Sequence, residues 1–121
     1  KNNEPLTITD KGEQRRDFTH VDDIVDGLIK CGRSLLIPNA YHAKVSGEEF
    51  ELGSGVNHSI NEVADMFGKD YPRKYVPARK GEYDKTLCTD DKAHKLLGWK
   101  PTRTLRAYIK DFLETERFLN E

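Results

Sequence analysis

The chain reads as an α/β fold with few short strands and about four helices. Three observations point there. Short apolar or β-branched runs are separated by longer stretches with one-face helical spacing. Gly, Pro and capping residues punctuate almost every transition. At 121 residues, length priors allow one domain, so residues 1–121 form a single unit with a modest core.

Pro5-Leu6-Thr7-Ile8-Thr9 has strand-like residues, and Asp10-Lys11-Gly12-Glu13 follows as a turn. A helix is expected from about Asp22 to Leu36, where Ile24, Val25, Leu28, Ile29, Leu35 and Leu36 share a face. Thr19 or Asp22 is its expected cap, with the acids Asp22 and Asp23 at its positive end. Pro38 to Gly47 reads as a loop. Phe50 and Leu52 alternate with Glu49 and Glu51 as a short strand, ending at Gly53-Ser54-Gly55, a tight connection. Ser59-Ile60-Asn61-Glu62 is a capping box for a helix stopped near Gly68. Lys74-Tyr75-Val76 is another strand. Thr89 or Asp90 should cap a helix carrying Ala93, Leu96 and Leu97, with Gly98 as its stop and Trp99 folded back into the core. After Pro101, a last helix carries Leu105, Tyr108, Ile109, Phe112 and Leu113 on one stripe.

Composition narrows the function. Apolar residues make up 36% and charged residues 34%, with a formal net charge of −1. The signs are interspersed, which argues against general nucleic-acid binding. No apolar run reaches membrane-spanning length. Cys31 and Cys88 lie at no metal or redox spacing and read as free thiols, which suits a reducing, cytoplasmic setting. The four histidines form no metal pattern, and His20, near a helix start, reads as structural.

Two cationic segments suggest chemistry. In Gly12-Glu13-Gln14-Arg15-Arg16-Asp17-Phe18, Arg16 can grip two phosphate oxygens in a fork, and Asp17 can orient it or bond nearby backbone. In Pro77-Ala78-Arg79-Lys80-Gly81-Glu82, Arg79 offers a second fork and Glu82 can accept from ribose hydroxyls. Taken singly, each reads better as a surface ion pair, worth at most about 1 kcal/mol, or as a solvated turn.

Their order is more specific. Gly12-Glu13-Gln14-Arg15-Arg16-Asp17-Phe18-Thr19-His20-Val21-Asp22-Asp23, Glu51-Leu52-Gly53-Ser54-Gly55 with Ser59-Ile60-Asn61-Glu62, Pro77-Ala78-Arg79-Lys80-Gly81-Glu82, and Thr89-Asp90 through Lys95-Leu96-Leu97-Gly98-Trp99-Lys100-Pro101 with Thr104-Leu105 follow one another. This series resembles the C-terminal part of the NAD-dependent nucleotide-sugar epimerase/dehydratase family, the extended short-chain dehydrogenase/reductases. The resemblance implies a C-terminal substrate-binding domain of a larger enzyme, lacking the Rossmann core. It implies that Arg16 and Arg79 contact the diphosphate of a UDP-sugar or other nucleoside-diphosphate sugar, and that Glu82 meets the ribose. It implies NAD in the intact enzyme and none bound by this chain alone.

The family's Gly-x-x-Gly-x-x-Gly loop and Tyr-x-x-x-Lys pair do not occur in the sequence. No catalytic and no metal residue is therefore assigned, and the chain alone is expected to be inactive. Epimerase is preferred to dehydratase. The partner is expected to be the missing N-terminal domain or a second copy. The alternatives are a stand-alone, non-enzymatic module that binds nucleotide sugars or a partner, and a purely structural fragment.

Overall fold

The computed structural model describes residues 4–37 and 44–119. Its elements run β1 (Leu6–Thr9), β2 (Arg15–Asp17), α1 (Val21–Leu36), β3 (Asn57–Ser59), α2 (Ile60–Phe67), β4 (Arg73–Val76), α3 (Lys92–Leu97) and α4 (Leu105–Phe118). The four helices and four short strands named among the described residues match the expected α/β class.

The strands form two separate pairs. β1 and β4 run parallel, with Ile8 opposite Tyr75, and Ile8 is the most deeply buried large side chain. β2 and β3 run antiparallel, with Arg16 opposite His58. Val45, Ala64, Ala93, Trp99 and Ile109 complete the core. Trp99 folds back as expected: its backbone N–H donates to Ala93 O, and its indole N–H donates to Asp23 O at 2.8 Å.

Local chemistry fixes most helix ends. The Ser59–Glu62 capping box forms in full: Ser59 Oγ accepts from Glu62 N, and Glu62 Oε2 accepts from Ser59 N. Gly98 closes α3 in the left-handed region at φ 62°, where a Cβ would be strained. Thr104 caps α4 by accepting from Ala107 N.

Several expectations need correction. α1 is capped by His20, whose Nδ1 accepts from Asp22 N, and not by Thr19 or Asp22. The N-cap of α3 is Asp91, although the Asp90 carboxylate accepts from Lys92 N; Thr89 takes no part. Lys44 and Val45 are helical rather than loop, while residues 38–43 lie outside the described residues. Phe50–Leu52 is not a strand. Its alternation is satisfied by packing, since Leu52 lies against Gly27 of α1, and no described strand pairs with its backbone. The pairing instead falls at Asn57–Ser59, opposite β2, whose Arg-Arg-Asp composition gives no strand signal.

Candidate functional site

The site is assembled around β2. Residues 84–86 run alongside it: Arg15 N donates to Asp84 O at 2.8 Å, and Thr86 N donates to Arg15 O at 3.0 Å. At the other end, Asp10 N donates to Val76 O, which ties the exit of β4 to the turn after β1. These two anchors carry the Pro77–Glu82 segment to the β2 edge, and Gly81 turns at φ 81°.

The three predicted site residues therefore meet, although not as a finished clamp. Arg16 Nη1 donates to Arg15 O, and its Nη2 donates to Glu82 Oε1 at 3.4 Å. Both side chains are about three-quarters buried. Glu82 N donates to Arg79 O, closing the turn between them. Arg79 is exposed, and its guanidinium has no partner among the described residues. Arg79 and Glu82 line one cleft of about 310 Å³ with Asp10, Glu13, Gln14 and Asp84. Arg16 approaches it through Glu82.

Neighbouring side chains hold this scaffold. Arg15 grips Glu62 through Nη1 and Nη2 at 3.1 and 3.0 Å and donates to Asn57 Oδ1 and O. The Arg15 and Ser59 N–H bonds hold the Glu62 carboxyl below its ordinary range. Asp17 does not orient Arg16. It accepts from Ser54 N and Oγ, Gly55 N and Cys88 N. Burial pushes this carboxyl up, but those bonds, the Ser54 hydroxyl foremost, outweigh burial and leave it below the usual carboxylate value. Gly53-Ser54-Gly55 is therefore not the strand-to-helix connection expected of it, since no described strand leads into it and β3 follows; the amides of Ser54 and Gly55 are directed to Asp17.

A buried carboxylate went unrecognised in sequence. Asp23, 2% exposed, accepts from Thr102 N and Oγ1 and from Arg103 N and Nη1. It is a tie between α1 and the loop before α4, not only an acid at a helix start. Only its place in Val-Asp-Asp, among apolar neighbours, hinted at burial. Cys31 and Cys88 are free thiols. No group of three or more metal-ligating side chains occurs among the described residues. No helix among them is long and apolar enough to cross a membrane.

A family model described as GDP-mannose 4,6 dehydratase matches residues 1–112. The chain belongs to this family. It corresponds to a C-terminal part of the NAD-dependent nucleotide-sugar epimerases and dehydratases. UDP-glucose 4-epimerase of Yersinia pestis is 33% identical over 107 residues, 85% of this chain and 30% of that protein. UDP-glucuronate 4-epimerase of Thermodesulfobacterium geofontis is 34% identical over 111 residues, 88% of this chain and 31% of that protein. Among solved structures, UDP-glucuronic acid 4-epimerase from Bacillus cereus, in complex with UDP-glucuronic acid and NAD, superposes with a TM-score of 0.74 at 28% identity. That match covers 89% of this chain and 33% of the other. The chain thus spans about a third of the length of these relatives.

Proposed function

We propose that this chain supplies the nucleotide-sugar pocket of an NAD-dependent sugar-nucleotide epimerase, with Arg16 and Arg79 at the diphosphate and Glu82 at the ribose. The supporting observation is the convergence of Arg16, Glu82 and Arg79, from distant parts of the chain, at one edge of β2. In the free chain Glu82 partners Arg16. A diphosphate offers a guanidinium stronger, forked acceptors, so it displaces that contact and leaves the Glu82 oxygens for ribose hydroxyls. Epimerase is preferred to dehydratase because the two relatives described above are 4-epimerases.

The residues present do not fit NAD. The sequence has no Gly-rich dinucleotide loop, and the amides of Ser54 and Gly55, in its one Gly-Ser-Gly turn, are spent on Asp17. No redox step is assigned to these residues, and the chain alone should not turn over a UDP-sugar with added NAD. The exposed apolar face of α1, with Val25, Leu28 and Ile29, is the surface for the missing N-terminal domain or a second copy.

Calorimetric titration with UDP-glucose tests the pocket. The Arg16→Ala, Arg79→Ala double variant should bind at least about 100-fold more weakly, since each charge-assisted contact is worth roughly 1.5–3 kcal/mol. Binding that survives the double change, or turnover by the chain alone, would overturn the reading.

A further inference from the structure

The turn that carries Arg79 and Glu82 presents one more side chain, which the diphosphate contacts do not use. Tyr83 is 77% exposed and lines the same cleft as Arg79, Glu82 and Asp84. Its hydroxyl has no hydrogen-bond partner among the described residues. Other tyrosines are engaged: Tyr75 Oη donates to Asn61 Oδ1 at 2.9 Å, and Tyr108 packs edge-on against His20 at 5.4 Å. Tyr83 instead leaves a bare aromatic face at the mouth of a polar cleft.

We propose that Tyr83 is the stacking platform for the base of a nucleoside diphosphate, a reading that rests on the pocket described above. Three features carry it. Tyr83 directly follows Glu82 and lines the same cleft, so its ring stands beside the carboxylate assigned to the ribose. The lining is predominantly acidic, with Asp10, Glu13, Glu82 and Asp84 against Arg79. Its carboxylates can accept from the hydroxyl and N–H donors of a nucleoside, while Arg79 stays available to the diphosphate. Finally, every base has a flat π-face, so an unhindered phenol ring gives affinity without reading base identity.

The experiment is calorimetry on the full chain with two probes, UDP and inorganic pyrophosphate, alongside the uracil H5 and H6 NMR shifts of UDP. Circular dichroism checks that each variant is folded. Tyr83→Ala should weaken UDP about tenfold and leave pyrophosphate unchanged. Tyr83→Phe, which keeps the ring, should stay within about twofold of the parent. The parent should move H5 and H6 upfield through the Tyr83 ring current, and Tyr83→Ala should abolish that movement. Unchanged UDP affinity in Tyr83→Ala, with binding lost in the Arg16→Ala, Arg79→Ala variant, overturns the stacking role alone. Equal weakening of UDP and pyrophosphate by Tyr83→Ala also overturns stacking. UDP binding that is absent in the parent, or indifferent to the two arginines, overturns the pocket and the proposal with it.

Discussion

Replacing Asp23 by Asn should cost about 2–3 kcal/mol of stability, and the geometry shows where that number comes from. Asp23 Oδ1 accepts from Thr102 Oγ1 at 2.9 Å and Arg103 Nη1 at 2.8 Å; Oδ2 accepts from Thr102 N at 3.1 Å and Arg103 N at 3.0 Å. Asn keeps one acceptor oxygen. It best serves the two backbone amides, which cannot rotate away. The new NH2 then faces the Thr102 hydroxyl, which can turn to accept, and the Arg103 guanidinium, which cannot. One bond to a charged group is lost outright, worth roughly 1.5–3 kcal/mol. Arg103 is partly exposed and regains hydration, which puts this loss in the lower half of the range. Weakening of the remaining bonds as they lose their charge adds roughly another 1 kcal/mol. At about 2 cal/mol/K per residue of unfolding entropy, Tm should drop by roughly 8–12 °C. The assay is urea and thermal unfolding followed by the fluorescence of Trp99, the single tryptophan, whose own bond is to Asp23 O and survives the substitution. The exposed neighbour Asp22 provides the control, and Asp22→Asn should stay within about 0.5 kcal/mol of the parent. If Asp23→Asn also unfolds within about 0.5 kcal/mol of the parent, the four bonds are not a stabilising tie.

Three further outcomes follow from the same scaffold. Gly53→Ala places a Cβ onto Cys88 Cβ, an atom fixed by its backbone, so urea unfolding should show a loss of about 1–3 kcal/mol. Ser59→Ala removes one half of the capping box and should cost about 1 kcal/mol in the same assay; an unchanged midpoint would show that the helix end is held from elsewhere. Asp17 and Asp23 both have carboxyls below their ordinary value when folded, so they stabilise the fold above the unfolded-state range and lose that contribution as pH falls through the folded values. The urea midpoint should therefore hold steady down to about pH 5 and decline below about pH 4, and Asp23→Asn should make the decline shallower.

The helices were the legible part of this sequence. Ser59 and Glu62 satisfy each other at the spacing their motif demands, and Gly98 ends α3 in the one conformation its lack of a side chain makes easy. Such signals act within a single turn and need nothing from the rest of the chain. Strands depend on partners. Arg15–Asp17 became a strand because Asn57–Ser59 and the Asp84–Thr86 backbone lie on its two edges, and neither neighbour can be read from Arg-Arg-Asp. Phe50–Leu52 had the alternation but no described partner strand, so the pattern reports packing on Gly27 rather than a ladder. Asp23 was misread for a related reason. An acid at a helix start is fully explained by the helix dipole, and only the return of Thr102 and Arg103 turns it into a buried tie.

The same dependence on distant neighbours divides the labour within β2. Successive side chains on a strand point to opposite faces. Arg15 and Asp17 therefore share a face, and both are committed to the fold: one grips Asn57 and Glu62, the other collects the amides of Ser54, Gly55 and Cys88. Arg16 is left on the other face, where its one side-chain partner is Glu82. A one-residue slip of β2 against β3 would exchange these roles and put Arg16 where Asp17 now accepts five bonds. The Asp17 tie thus sets the register that points Arg16 at the cleft. Asp17→Asn should accordingly weaken UDP binding through misplacement of Arg16, together with a loss of stability that Arg16→Ala does not show. Calorimetry paired with urea unfolding separates the two. Asp17→Asn that loses stability yet binds UDP as the parent does would break the link between register and site.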